Sequence, residues 1–148
     1  MRTFKKIGTL LVALFSVTFA SAQNDKFISF NQLPAKAQSF IKEHFSEGDI
    51  ASVWVDADYL SKKEYTVIFN DGSEVEFYSN GDWEEVKSRT NEIPAKIIPA
   101  GIAQYVQKNF PNTFVKEIKK RKNGYEIELS NGLDLDFNRA GKFLRIDD

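Results

Sequence analysis

Near the end of the chain, Glu126 and Glu128 stand two residues apart in GYEIEL, and Asp134 and Asp136 stand two apart in GLDLDF. An earlier pair, Glu74 and Glu76, occupies the similar stretch NDGSEVEF. Two carboxyl groups held roughly 5–10 Å apart are the machinery of glycoside hydrolysis, one acting as acid and the other as nucleophile or base. The same oxygens suit a hard cation. Each chemistry makes a further demand: hydrolysis needs a cleft and one carboxyl of raised pKa, and a hard cation needs six or more oxygens converging from loops. Alternating acids on strands form a pleated row instead, and Lys119, Arg121 and Arg145 beside them would keep all four ionised. The expectation is a protein with no catalytic residue, no metal and no cofactor, with a carboxylate hydrolase as the third reading of its function.

Other reaction chemistry is missing from the sequence. There is no cysteine for a thiol nucleophile, and His44 is the single histidine, so a multi-histidine metal site is not possible. No G-x-S-x-G, H-E-x-x-H or glycine-rich phosphate loop occurs. Asp56-Ala57-Asp58 has the opening of a calcium loop but lacks its central glycine and closing glutamate. His44 lies on the apolar edge of a predicted helix, where the matching position of a second helix is Asn109, so it reads as a packing residue.

The elements that position the acids are written twice. Lys62 to Val86 aligns with Lys122 to Ile146, matching Tyr65 with Tyr125, Gly72 with Gly132, Phe77 with Phe137, Gly81 with Gly141 and Trp83 with Phe143. Upstream, LPAKAQSFIKEHF at 33–45 aligns with IPAGIAQYVQKNF at 98–110. Both segments have apolar residues at spacings of three and four, and each starts with a proline, tolerated where its missing N–H has no helical partner. After each helix the period becomes two, which predicts strands over 50–58, 64–69, 73–78 and 82–87, then 114–121, 125–129, 133–137 and 142–146. The fold class is therefore α+β: a tandem repeat of one helix plus a four-stranded antiparallel meander, about 30–88 and 98–148. A linker at 89–97 joins the copies, and one curved sheet of about eight strands carries the helices on one face.

Parity then sorts residues between the two faces. Tyr125, Ile127, Leu129, Leu133, Leu135 and Phe137 are core candidates, and paired residues share a face, so Leu129 opposes Leu133 around a three-residue turn, Ser130-Asn131-Gly132. Glu128 then opposes Asp134, and Glu126 opposes Asp136, on the face away from the helices. A two-residue Asn123-Gly124 turn would set Lys119 against Glu128 and Arg121 against Glu126. A four-residue loop at 138–141 would set Arg145 against Asp134, turn Leu144 and Ile146 inward, and place Phe143 on the open face. By alignment Trp83 joins it, although a bulge near Gly81 would turn Trp83 inward. Trp54 and Ile68 complete an aromatic and apolar group among the charges, which is the composition of a binding surface unless the linker or a second chain covers it.

The N-terminus sets the compartment. Arg2, Lys5 and Lys6 precede an apolar run from Ile7 to Ala20, and Ala20-Ser21-Ala22 is a small-x-small cleavage signal, so residues 1–22 read as a secretory signal peptide. Residues 23–148 then form one exported domain, periplasmic or secreted, with no membrane insertion after cleavage. Of 20 basic and 21 acidic residues, loss of those three cations leaves 17 against 21, a net charge of −4. With no basic cluster outside Lys116 to Lys122, nucleic acid is not an expected partner.

The combination of LPAKAQSFIKEHF, EYTVIFNDGSEVEFYSNGDWEEV, IPAGIAQYVQKNFP and GYEIELSNGLDLDFNRAGKFLRID resembles the PepSY-like family of exported proteins from Bacteroides-type bacteria, similar in fold to beta-lactamase inhibitor protein. The resemblance implies a curved sheet with an exposed concave face and no catalytic residues to carry over. That inhibitor grips its enzyme with aromatics on this face; the present chain lacks its disulfides and its contact residues, so only the mode of binding transfers. The function expected is a non-catalytic module with an inhibitor-like role, presenting Trp54, Ile68, Glu74, Trp83, Glu126, Glu128, Asp134, Asp136, Phe143 and Arg145 to a protein or peptide of the cell envelope. The alternative is an envelope sensor or carrier of a cation or small ligand.

Overall fold

A computed structural model describes residues 25–56 and 63–147; the predicted signal peptide and Asp58 of the predicted first strand lie outside the described residues. Its helices are α1 (Ala35–His44) and α2 (Ala100–Asn109). Its strands are β1 (Lys26–Phe27), β2 (Ile50–Asp56), β3 (Glu64–Phe69), β4 (Glu74–Phe77), β5 (Trp83–Lys87), β6 (Val115–Arg121), β7 (Gly124–Leu129), β8 (Asp134–Asn138) and β9 (Phe143–Asp147). All pair antiparallel in chain order within one open sheet. The sheet has nine strands among the described residues rather than eight, because Lys26 and Phe27 add a short edge strand beside β2. Two residues give too little periodicity for sequence reasoning to find such a strand.

Each helix follows a proline whose carbonyl accepts the first helical bond, from Gln38 N to Pro34 O and from Ala103 N to Pro99 O, both 3.0 Å. Ala37 and Ile41 of α1 and Ile102 and Val106 of α2 are buried against one face of the sheet, on Val67, Val75, Phe77, Ile127, Leu135 and Phe137. The segment between the halves contributes Ile93 and Ile97 to the same core, with a single 3-10 turn at Ala95–Ile97. The segment joining the halves is therefore itself packed into the core.

Four hairpins share one turn. Gly72, Gly81, Gly132 and Gly141 have φ of 79° to 85°, and each donates its N–H at 2.9 Å to the carbonyl three residues earlier. This three-residue turn is the form expected at Gly132, and Leu129 and Leu133 face each other across it. It also occurs at Arg139-Ala140-Gly141, where a four-residue loop was expected: Asn138 N donates to Lys142 O at 2.9 Å. One extra residue, Leu144, then bulges from β9, so Phe137 pairs with Phe143 while Asp136 pairs with Arg145. The first half does the same with Glu84, pairing Phe77 with Trp83 and Glu76 with Glu85.

A three-residue turn plus one bulged residue has the same parity as a four-residue loop, so residues beyond the bulge keep their expected faces. Only those between turn and bulge change sides. Phe143 and Trp83 therefore face the helices, correcting the expectation that both lie on the open face. Phe40 of α1 stacks over Trp83 at 6.0 Å and meets the edge of Phe77, and Tyr105 of α2 stacks over Phe143 at 4.5 Å and meets the edge of Phe137. Leu144, expected in the core, is the bulged residue and is 55% exposed; Ile146 keeps the core face opposite Leu135 but is 44% exposed on the edge strand.

The β6–β7 turn is also two residues off its expected register. Arg121 pairs with Gly124 around Lys122-Asn123, so Lys119 opposes Glu126 and Glu117 opposes Glu128. Gly124 is needed in the strand, because a Cβ there would lie 1.8 Å from the carbonyl oxygen of Phe137. A glycine in Asn-Gly is the usual hairpin signal, and here close approach of two backbones took precedence over it.

Candidate binding face

Alternation leaves the face opposite the helices lined by two cross-strand rows. The first runs Phe27, Trp54, Thr66, Glu76, Glu85, Lys119, Glu126, Asp136, Arg145, each residue paired with the next across the sheet. The second runs Ser52, Ile68, Glu74, Lys87, Glu117, Glu128, Asp134, Asp147. The rows hold nine carboxylates and three cations, Lys87, Lys119 and Arg145, so the face carries excess negative charge.

Ion pairs neutralise part of it. Lys119 Nζ lies 2.8 Å from Glu85, Arg145 Nη2 2.6 Å from Asp136, Arg121 Nη2 2.6 Å from Glu126, Lys87 Nζ 3.3 Å from Glu117 and Lys116 Nζ 3.5 Å from Glu128. Arg145 thus answers Asp136 rather than Asp134, a consequence of the bulge at Leu144. Asp134 is left facing Glu128 and Asp147 in its row. Burial, then the charges of Glu128 and Glu126, hold its carboxyl above the usual range.

The most perturbed group stands where the two halves of the sheet meet. Glu117 is pushed up to about 7, first by burial and then by a hydrogen bond with Glu85 and that residue's charge. Burial also opposes ionisation of Glu85, but hydrogen bonds from Glu117 and Lys119 outweigh it and hold Glu85 low. The two carboxyls are thus shifted in opposite directions. Glu76, next to Glu85 in its row, is raised by burial and by the Glu85 charge. Neither Glu85 nor Glu117 was among the expected site residues, since their approach depends on the β5–β6 register, which nothing in the local sequence sets.

The opposite end of the face is aromatic. Trp54 lies there as expected, and Phe27, 68% exposed, sits on it with ring centroids 3.5 Å apart. The indole N–H of Trp54 donates to Ser52 Oγ at 3.0 Å, holding the ring over the sheet. Trp54, Ile68, Thr66, Glu64, Asp56 and Glu76 line a hollow of about 350 Å³. Of the ten expected residues, eight share this face, and Trp83 and Phe143 are on its reverse. There Lys120, also unforeseen, puts its Nζ 3.9 Å from the Trp83 ring centroid, and burial holds its pKa below the ordinary lysine value.

Among the described residues no group of three or more His, Cys, Asp or Glu is arranged to hold a metal ion, and no helix is long and apolar enough to cross a membrane. The family model described as "Putative beta-lactamase-inhibitor-like, PepSY-like" matches residues 63–145. The chain belongs to this PepSY-like family. Three solved relatives agree with the assignment. A "putative calcium-regulated periplasmic protein" from Bacteroides thetaiotaomicron is 42% identical with a TM-score of 0.79, over 84% of this chain and 97% of its own. A periplasmic protein of the DUF2874 family from Bacteroides vulgatus is 37% identical with a TM-score of 0.79, over 86% and 100%. Another periplasmic protein from that species, of unknown function, is 34% identical with a TM-score of 0.78, over 84% and 99%. No curated protein matches the chain. The PepSY-like protein shares the periplasmic location of these relatives, in agreement with its N-terminal sequence.

Proposed function

We propose that this PepSY-like protein is a non-catalytic binding module of the periplasm that receives a protein or peptide on its open sheet face, in the manner of an inhibitor. The observation that carries the reading is the close pair Phe27 and Trp54, their rings tilted at 38°, with Ile68 beside it, at the end of two carboxylate rows whose charge is only partly neutralised. An exposed aromatic anchor next to a field of one sign is the composition of a protein-binding surface. Support comes also from the family's description as beta-lactamase-inhibitor-like. Catalysis by the carboxylates is disfavoured by their geometry, since Glu126 and Asp136 are each held by an arginine on an open sheet. The chain further reads as two tandem units: Phe40 over Trp83 in one and Tyr105 over Phe143 in the other occupy aligned positions.

The test is recovery of partners from periplasmic extract by the wild-type protein and by Trp54→Ala. A partner held by wild type and lost by the variant is the expected result; equal recovery of every partner by both overturns the assignment of this face. A second reading, regulation by a divalent cation, is favoured by the name of the calcium-regulated relative. Calorimetry with calcium decides it. Heat that disappears in Asp134→Asn/Asp136→Asn supports regulation, and no heat with wild type rejects it.

A further inference from the structure

A second concavity lies among the end of α1, the β3–β4 hairpin and the strap that leaves β5. Its volume is about 410 Å³, within the ~300–1,000 Å³ typical of small-molecule sites. The floor is apolar: Phe45 and Phe69, stacked at 4.8 Å, with Val86 and Ile93 beside them. Asp49, Asp71 and Glu92 supply three carboxylates to the lining, against one ammonium, Lys87, whose Nζ is already paired with Glu117 at 3.3 Å.

A difference between the two halves accounts for the space. After its turn glycine the second half has Leu133, packed against the core, whereas the first half has Ser73, which is 8% exposed. A serine leaves unfilled what a leucine occupies. The walls are tied by hydrogen bonds. Ser73 N donates to Asp71 Oδ1 at 2.8 Å, Asn70 N to Asp49 O at 2.8 Å, Asn91 N to Ser88 Oγ at 3.2 Å, and Ile93 N to Val115 O at 3.1 Å. The cavity is thus preformed, which spares a ligand the cost of ordering it.

We propose that this cavity binds small organic cations, a primary amine on an aromatic or branched aliphatic body, with the body on Phe45 and Phe69 and the ammonium among Asp49, Asp71 and Glu92. Apolar floor and acidic rim together select such a ligand, since an anion of the same size would meet three like charges. The proposal is independent of the function assigned to the open face.

The probes are 2-phenylethylamine, phenylacetate and 2-phenylethanol, similar in body and differing in charge, titrated into the ¹⁵N-labelled protein while the amides of Asn70, Asp71 and Asn91 are followed. The amine should give saturable shifts with a dissociation constant of about 1 mM or below, and both other probes should bind at least about tenfold more weakly. Ser73→Leu, which fills the cavity with the residue of the other half, should abolish the shifts while thermal unfolding shows a folded protein. Glu92→Gln, at an exposed position, should weaken the amine severalfold without affecting folding. The proposal is overturned if the amine gives no saturable shifts up to ~10 mM, if phenylacetate or phenylethanol binds as well as the amine, or if folded Ser73→Leu or Glu92→Gln binds it like wild type.

Discussion

Glu117 offers a measurement in which the sign and the pH window both follow from the structure. Its carboxyl is raised from 4.5 to about 7, so between those values the folded state holds a proton that the unfolded chain has released. A raised acid stabilises the fold below its unfolded pKa and loses that contribution as pH rises through the folded value. Stability should therefore fall between pH 4.5 and 7. Glu85, held low, acts in the other direction but in a separate window: its contribution is present above its unfolded pKa and disappears only at more acidic pH. The full shift corresponds to an upper bound of roughly 3.5 kcal/mol at ~1.4 kcal/mol per pKa unit. Partial solvent access and the nearby Lys87 ammonium reduce it to an expected 1–2 kcal/mol, by order of magnitude. Glu117→Gln keeps a neutral donor toward Glu85 and removes the titration. Urea unfolding followed by tryptophan fluorescence at pH 5 and at pH 7.5, for wild type and variant, isolates this residue because the pH dependence from Glu76 and Asp134 is common to both. Wild type should lose about 1–2 kcal/mol more than Glu117→Gln across the interval. Parallel losses within ~0.3 kcal/mol would show that Glu117 does not hold a proton in the folded state, and the paired carboxyl account would fail.

The two tryptophans should separate by role: Trp83→Ala, which empties the space between Phe40 and Lys120, should cost about 3 kcal/mol in chemical denaturation, and Trp54→Ala less than ~1 kcal/mol. The bulge in β9 predicts that Leu144→Ser changes stability by under ~0.5 kcal/mol, whereas Leu135→Ala costs about 2–5 kcal/mol; similar losses at both sites would contradict the register. Gly132→Ala has open space around it and meets only the strain of positive φ, so thermal unfolding should register a loss of about 1–2 kcal/mol. Gly124→Ala places a methyl against the Phe137 carbonyl and should cost distinctly more, or prevent native folding, as read by the same melts.

Hydrophobic period and turn chemistry in the sequence were enough to find both helices, eight of the strands, the three-residue Gly132 turn and the opposed pairs Glu128 with Asp134 and Glu126 with Asp136. These are local properties. Period two assigns alternate residues to one face, and a glycine at positive φ marks a turn wherever it occurs in the chain. Trp83 and Phe143 were misplaced because a turn plus a bulge mimics a longer loop in parity, and the sequence beyond Glu84 and Leu144 is the same under either description. What selects the bulge is tertiary: Phe40 and Tyr105 on the helices offer stacking surfaces that only an inward aromatic can use. Gly124 was likewise read as turn chemistry when the deciding contact was with the neighbouring strand. The meeting of Glu85 with Glu117 depends on how β5 pairs with β6 across a connection that packs Ile93 and Ile97 into the core. The sequence by itself determined which residues could be acidic neighbours on an open face. Only the tertiary structure decided which of them meet across the sheet, and which aromatics remain there to meet a partner, because register across a long connection is set by the packing it must satisfy.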